Sequence, residues 1–178
     1  MNRRLFAAIC ASVVALWAPG ASAKIEKLTL AQMVAKAEGC VLGTIRAVEV
    51  QRIDHPTDGP DLFYTTLVID GRSLYDGRGV RVPITFAGGV LPNGEGAWNA
   101  EAPSADDIRV GNQVVAFYSW TDDMGGGVAA NALYSAHGGL FRVMKTRKGE
   151  FVLGRGEGYA IDVNRTTGEL AQAISGLR

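Results

Sequence analysis

The sequence is poor in the residues that usually announce a chemistry. Two cysteines and two histidines occur in 178 residues. So few Cys exclude a disulfide scaffold and a Cys-rich zinc module. Neither sign of charge dominates: Lys plus Arg and Asp plus Glu each number 18, which excludes a generic polyanion binder. No apolar run reaches the roughly 20 residues that span a bilayer. There is no Cys-x-x-Cys, no Gly-x-Ser-x-Gly elbow and no complete phosphate-binding loop. No internal repeat is visible, and no repeated βα pattern points to a doubly wound sheet. The length suits one compact domain.

What is present begins with an export signal. Arg3 and Arg4 precede an apolar stretch from Leu5 to Ala18, broken by Pro19-Gly20 and followed by Ala21-Ser22-Ala23. These are the charged, apolar and small-residue parts of a cleavable signal peptide. The apolar part is too short for a membrane anchor, and Ile9 before Cys10 is too large for a lipoprotein site. The expected division is a signal peptide over 1–23 and a single β-rich domain over 24–178, starting at Lys24. Cleavage removes two arginines and no acid, so the balance tips slightly acidic. Cys40 then remains as a lone thiol that cannot form an internal disulfide. The expected location is the periplasm or the medium, with no membrane span after cleavage.

The mature chain opens with helix signals and continues as strands. Thr29 and Gln32 have capping-box spacing, and Leu28 and Met33 have staple spacing. Leu30, Met33, Val34 and Ala37 share one face, and Gly39 is expected to stop the helix. Cys40–Ile53 reads as a long strand whose alternation changes phase near Arg46, as at a bulge. Leu62–Ile69 is aromatic and β-branched. Val80, Val82, Ile84 and Phe86 alternate with polar positions, and Pro83 points to an edge or bulge. Val114–Ser119 is apolar on both faces, as in a central strand. Leu140–Lys145 and Glu150–Leu153 flank a hairpin turn at Arg147-Lys148-Gly149. Tyr159–Val163 is expected to be a final strand, Asn164–Gly168 a turn, and Glu169–Ile174 a short frayed helix. Two long irregular regions, 87–110 and 121–139, are where a binding surface is to be sought.

The fold class is therefore mainly β: a small closed or partly closed OB-like barrel with one N-terminal amphipathic helix, which leaves the fewest open edges. An open sandwich is the alternative. The helix Leu28–Ala37 is followed in order by Val41–Val48, Tyr64–Ile69, Val82–Gly89, Gly111–Phe117 and Gly139–Val143. This order resembles a family of small secreted or surface-attached bacterial domains of uncharacterised function. It is also similar to the OB-like barrels of netrin-type and metalloprotease-inhibitor domains. The resemblance implies protein binding and a link to a secreted protease, because some relatives are encoded beside secreted metalloproteases. It fixes no catalytic residue. Leu74–Gly79 is longer than the family's corresponding unit. The animal inhibitors use an amino-terminal Cys against zinc, where Lys24 stands here, so that mechanism does not transfer.

Candidate chemistry is thin. His55 lies in Asp54-His-Pro-Thr-Asp-Gly-Pro-Asp61, a set of oxygen and imidazole donors that could hold a cation. The spacing matches no EF-hand, and Pro56, Asp58, Gly59 and Pro60 are ordinary turn residues. Asp106-Asp107 and Asp122-Asp123 form an acid/base pair only if folding unites them. His137 could serve as a general base or ligand, the usual roles of an imidazole, but no nucleophile motif accompanies it. Cys40 begins an apolar strand and reads as a small buried hydrophobe. Arg142, Lys145, Arg147, Lys148 and Arg155, with Phe141 or Phe151, make a basic stretch that could meet nucleic acid. Export and a slightly acidic mature chain argue against that partner.

These observations favour an exported non-enzymatic binding domain, without cofactor or metal. Its partner is a protein or cell-envelope ligand rather than nucleic acid. Trp98, Trp120, Tyr134 and His137 on the long loops are the candidate contact residues, since aromatics are common interface anchors. The alternative is an exported hydrolase or metal-assisted enzyme using His137 and the loop carboxylates.

Overall fold

The computed structural model describes residues 28–57 and 59–178. The expected signal peptide and the expected start at Lys24 lie outside the described residues. Helix α1, Leu30–Lys36, starts at its capping box. The Thr29 hydroxyl accepts from Gln32 N–H at 3.2 Å, and the Gln32 side chain accepts from Thr29 N–H at 2.9 Å. Leu28, Met33, Val34 and Ala37 are buried on one side. The helix ends differently from expectation. Its C-cap is Ala37 in extended conformation, and Gly39 already belongs to a strand. The Tyr118 ring packs over Gly39, where a Cβ would come within 2.2 Å of it.

Among the described residues, ten strands and a second helix follow. They are β1 (Gly39–Ile53), β2 (Leu62–Ser73), β3 (Gly79–Ala87), β4 (Gly89–Val90), β5 (Gly96–Ala97), β6 (Gln113–Thr121), β7 (Ala130–Leu133), β8 (Leu140–Thr146), β9 (Gly149–Val152), β10 (Arg165–Thr166) and α2 (Thr167–Ser175). Five of them close a barrel in the order β1-β2-β3-β7-β6-β1. All barrel pairings are antiparallel except the parallel closure of β3 with β7 at Thr85 and Ala132. This is the OB-like order, with the fourth and fifth barrel strands exchanged in space. One edge of β6 pairs with β1. Its other edge is divided between β8 at Gln113–Ala116 and β7 at Tyr118–Thr121. From β8 the sheet continues through β9 to β10.

Alternation along β1 and β6 creates two cores. Val41 and Ile45 of β1, with Val114 and Ala116 of β6, point into the barrel beside Leu67, Ile69 and Ile84. Cys40, Leu42, Val115 and Phe117 point outward, where α1, α2, β8 and β9 cover them. Residues of period two on a strand covered on both faces are apolar throughout, which is how Val114–Phe117 reads in sequence. The β1–β2 register shifts between Ile45 and Ala47. Arg46 is thus the extra residue of a bulge, and beyond it Val48 and Val50 take over the inner face.

Besides the end of α1 and the strand β7 inside the expected irregular region 121–139, three segments differ from the sequence expectation. Tyr159–Val163 is not a strand. Ala160 and Ile161 are buried in the helix-side core, while the backbone folds back through Arg155 N–H to Ile161 O and Gly156 N–H to Asp162 O. The expected turn at Asn164–Gly168 instead holds β10 and the start of α2. Helix α2 is firmly capped rather than frayed: Thr166 and Glu169 form a second capping box, and Leu170 and Ile174 are wholly buried. No helix among the described residues is long and apolar enough to cross a membrane.

Candidate functional site

The long β3–β6 connection lies across one mouth of the barrel and encloses a cleft of about 750 Å³. Val48 and Val50 of β1 and Phe86 of β3 line it from the barrel, and Ala102 and Ile108 line it from the connection. This is an apolar concavity of the size that holds small ligands or partner side chains, in a barrel mouth where such sites recur. The connection leaves β3 through Gly88 and Gly89, whose φ angles are 99° and 150°. Side chains are excluded there for a second reason: a Cβ on Gly89 would lie 2.5 Å from Thr65 Oγ1 and 2.8 Å from Val50 Cγ1. Thr65 Oγ1 donates to Gly88 O at 2.6 Å and fixes the turn. The small β4–β5 ladder then presents Val90 and Trp98 at the lip.

Polar groups stand at the far side. The Arg155 guanidinium meets the Asp107 carboxylate at 2.9 Å, with side chains 24% and 18% exposed. Arg155 Nε also donates to Leu140 O at 3.1 Å. His137 N–H donates to Glu101 O at 2.9 Å, and its ring Nδ1 lies 3.1 Å from the same oxygen. A carbonyl only accepts, so Nδ1 carries the proton. In the neutral ring Nε2 is then the acceptor for the Tyr159 hydroxyl at 3.2 Å. Both ring nitrogens are thus engaged within the protein. His137 ties together the connection, its own turn and the segment before β10. That turn is strained: Ser135 and Ala136 have φ of 53° and 49°, a conformation that costs non-glycine residues about 1–3 kcal/mol each.

The structure brings only two of the four candidate contact residues together. Trp98 and His137 both line the cleft. Trp98 is 86% exposed. Trp120, half exposed, lies on the outer barrel wall beside a smaller cleft with Thr66, Thr85 and Asn131. Its indole donates to Asp122 at 2.9 Å. Tyr134 packs against the helix-side core instead of standing out as a contact. Sequence reasoning missed Val48, Val50, Phe86 and Arg155 as wall residues. The phase change at Arg46 was the one available signal, because it turns Val48 and Val50 inward.

The other candidates resolve into local structure. Asp106 pairs with Arg109, and Asp107 with Arg155. Asp123 accepts from the N–H groups of Gly125 and Gly127 at 2.7 and 3.1 Å, which shapes the glycine turn. His55 bonds to Thr57 within its own turn. Among the described residues no three His, Cys, Asp or Glu side chains form a group that could hold a metal. Phe141 is wholly buried and offers no stacking face, while Lys145 pairs with Glu150 at 3.2 Å. Cys40 is 1% exposed, and burial pushes its thiol pKa well up. Comparison with family models, curated proteins and solved structures gives no match to the chain.

Proposed function

We propose that this chain is an exported, non-enzymatic binding domain that recognises a protein through the barrel-mouth cleft and its Trp98 lip. The observation that carries this reading is the 86% exposure of Trp98 at the edge of an apolar cleft of about 750 Å³. A large aromatic beside a concave apolar site suits an interface anchor. Val90, 59% exposed, extends the same apolar lip. A ligand confined to the cleft would leave most of the indole in water. A polypeptide can fill the cleft and cover the lip together. A secreted metalloprotease is the first partner to test, because a link to such an enzyme is what the resemblance in strand order implies.

The test is affinity capture from the native envelope and culture medium, with wild-type mature protein and Trp98→Ala compared side by side. The variant is expected to keep wild-type stability within about 0.5 kcal/mol, as at other exposed positions, and to lose the captured partner. Equal capture by the two proteins overturns the reading.

A further inference from the structure

The β3–β6 connection is held by means different from those that hold the barrel. Of residues 89–112 only Pro103 is buried, whereas Val114–Phe117 of the adjoining strand are wholly buried. A segment with so little apolar burial opens locally at much lower free energy than the strands around it. Its two ends carry glycines at positive φ: Gly88 and Gly89 at one end, and Gly111 at 94° at the other. Backbone bonds pin these ends, from Gly88 N–H to Phe63 O at 2.7 Å and from Gly111 N–H to Ile45 O at 2.9 Å.

Between the pinned ends, side chains from elsewhere tie the segment down. The His137 ring adds a second bond to Glu101 O beside the one from the His137 backbone N–H, and Arg155 holds Asp107. A third tie, Arg52 to Glu95 at 3.5 Å, is solvent-exposed and therefore weak. The first two ties border the cleft, since His137, Asp107 and Arg155 all line it. Asp107 and Arg155 also cancel one another's charge, so the cleft presents neither an anion site nor a cation site.

We infer that residues 88–112 form a strap that opens as one unit from the barrel mouth, with His137 and Arg155 as latches and the terminal glycines as hinges, and that the group admitted beneath it is uncharged and apolar. This inference rests on the cleft being the binding site.

Hydrogen exchange on the mature protein tests the strap without any partner. His137→Ala and Asp107→Ala should each speed exchange over residues 98–108 by about tenfold or more and leave β1, β2 and β6 unchanged. Tyr159→Phe, which removes one hydroxyl, should give a smaller rise confined to the same residues. No rise, or an equal rise across the barrel strands, overturns the strap. The neutral fluorophore N-phenyl-1-naphthylamine should bind about tenfold more tightly than anionic 8-anilino-1-naphthalenesulfonate, because burying an unpaired charge is costly. Equal or tighter binding of the anion overturns the apolar assignment. If the strap variants behave as expected while Trp98→Ala still captures the partner, the protein-binding reading fails and the strap stands.

Discussion

Gly43 and Gly71 face one another across β1 and β2, and neither has room for a side chain. A Cβ on Gly71 would come within 2.2 Å of the Leu42 carbonyl oxygen, and one on Gly43 within 2.6 Å of the Asp70 carbonyl oxygen. These neighbours are backbone atoms and cannot swing aside. Gly71→Ala is expected to destabilise the protein by about 1–3 kcal/mol, as overpacking does. Gly79, at the start of β3, has nothing within 4 Å of its would-be Cβ. Gly79→Ala is the control, expected to be neutral or to stabilise by up to about 1 kcal/mol. Urea denaturation measures both, and equal costs would contradict the argument.

Cys40 and Tyr75 make stability fall at high pH. Burial raises the Cys40 thiol well above its ordinary value of 9.0. Burial likewise pushes Tyr75 up to about 12. Its hydroxyl donates to Ala37 O at 3.1 Å. Both groups hold their protons longer when folded. The unfolded state therefore loses protons first, and stability drops as pH rises above about 9. Cys40→Ala should flatten the part of this slope that begins near pH 9, as followed by urea midpoints. The native thiol should also resist maleimide until the protein unfolds, since only the exposed thiolate reacts.

Helix α2 depends on its first turn. The Thr166 hydroxyl accepts from Glu169 N–H at 3.1 Å, and Glu169 accepts from Thr166 N–H at 2.8 Å. Thr166→Ala should cost about 1 kcal/mol, the usual loss for an N-cap. Ile174→Ala, on the wholly buried face, should cost about 2–5 kcal/mol. Thermal melts followed by circular dichroism would rank the two. The Thr166 backbone N–H holds the Glu169 carboxyl below its usual range. Its contribution is therefore present above the ordinary carboxylate range and lost as pH falls through the lowered value.

Export is testable without a partner. Expressed in full in a bacterial host with its own signal, the protein is expected in the periplasm or medium with Lys24 as its first residue. Amino-terminal sequencing of the exported form decides it. Retention of Met1 on the exported protein would count against the cleavage site.

Much of the fold was legible because its signals are local. Thr29 and Gln32 announced α1, the phase change at Arg46 announced the bulge, and the unbroken apolar run at Val114–Phe117 announced a strand buried on both faces. The closure of the barrel was not local. It depends on β7, the four residues Ala130–Leu133, whose single bridge to β3 joins Thr85 to Ala132. Nothing in Ala-Asn-Ala-Leu favours a strand, and only the neighbouring edges impose one. Tyr159–Val163 misled for the opposite reason. Its apolar residues are buried by the tertiary fold while its backbone turns back on itself. At the site, the loops drew attention to Trp98 and His137. The Asp107–Arg155 pair, 48 residues apart in sequence, left no mark there.

Strand β6 has a consequence for how the protein comes apart. Its even and odd residues serve different cores, so the strand cannot detach from the barrel and remain seated under the helices. Loss of either core removes a wall of the other. Two separate apolar clusters should therefore melt in one transition, with calorimetric and van't Hoff enthalpies equal. The chain is expected to behave as one cooperative unit despite having two interiors.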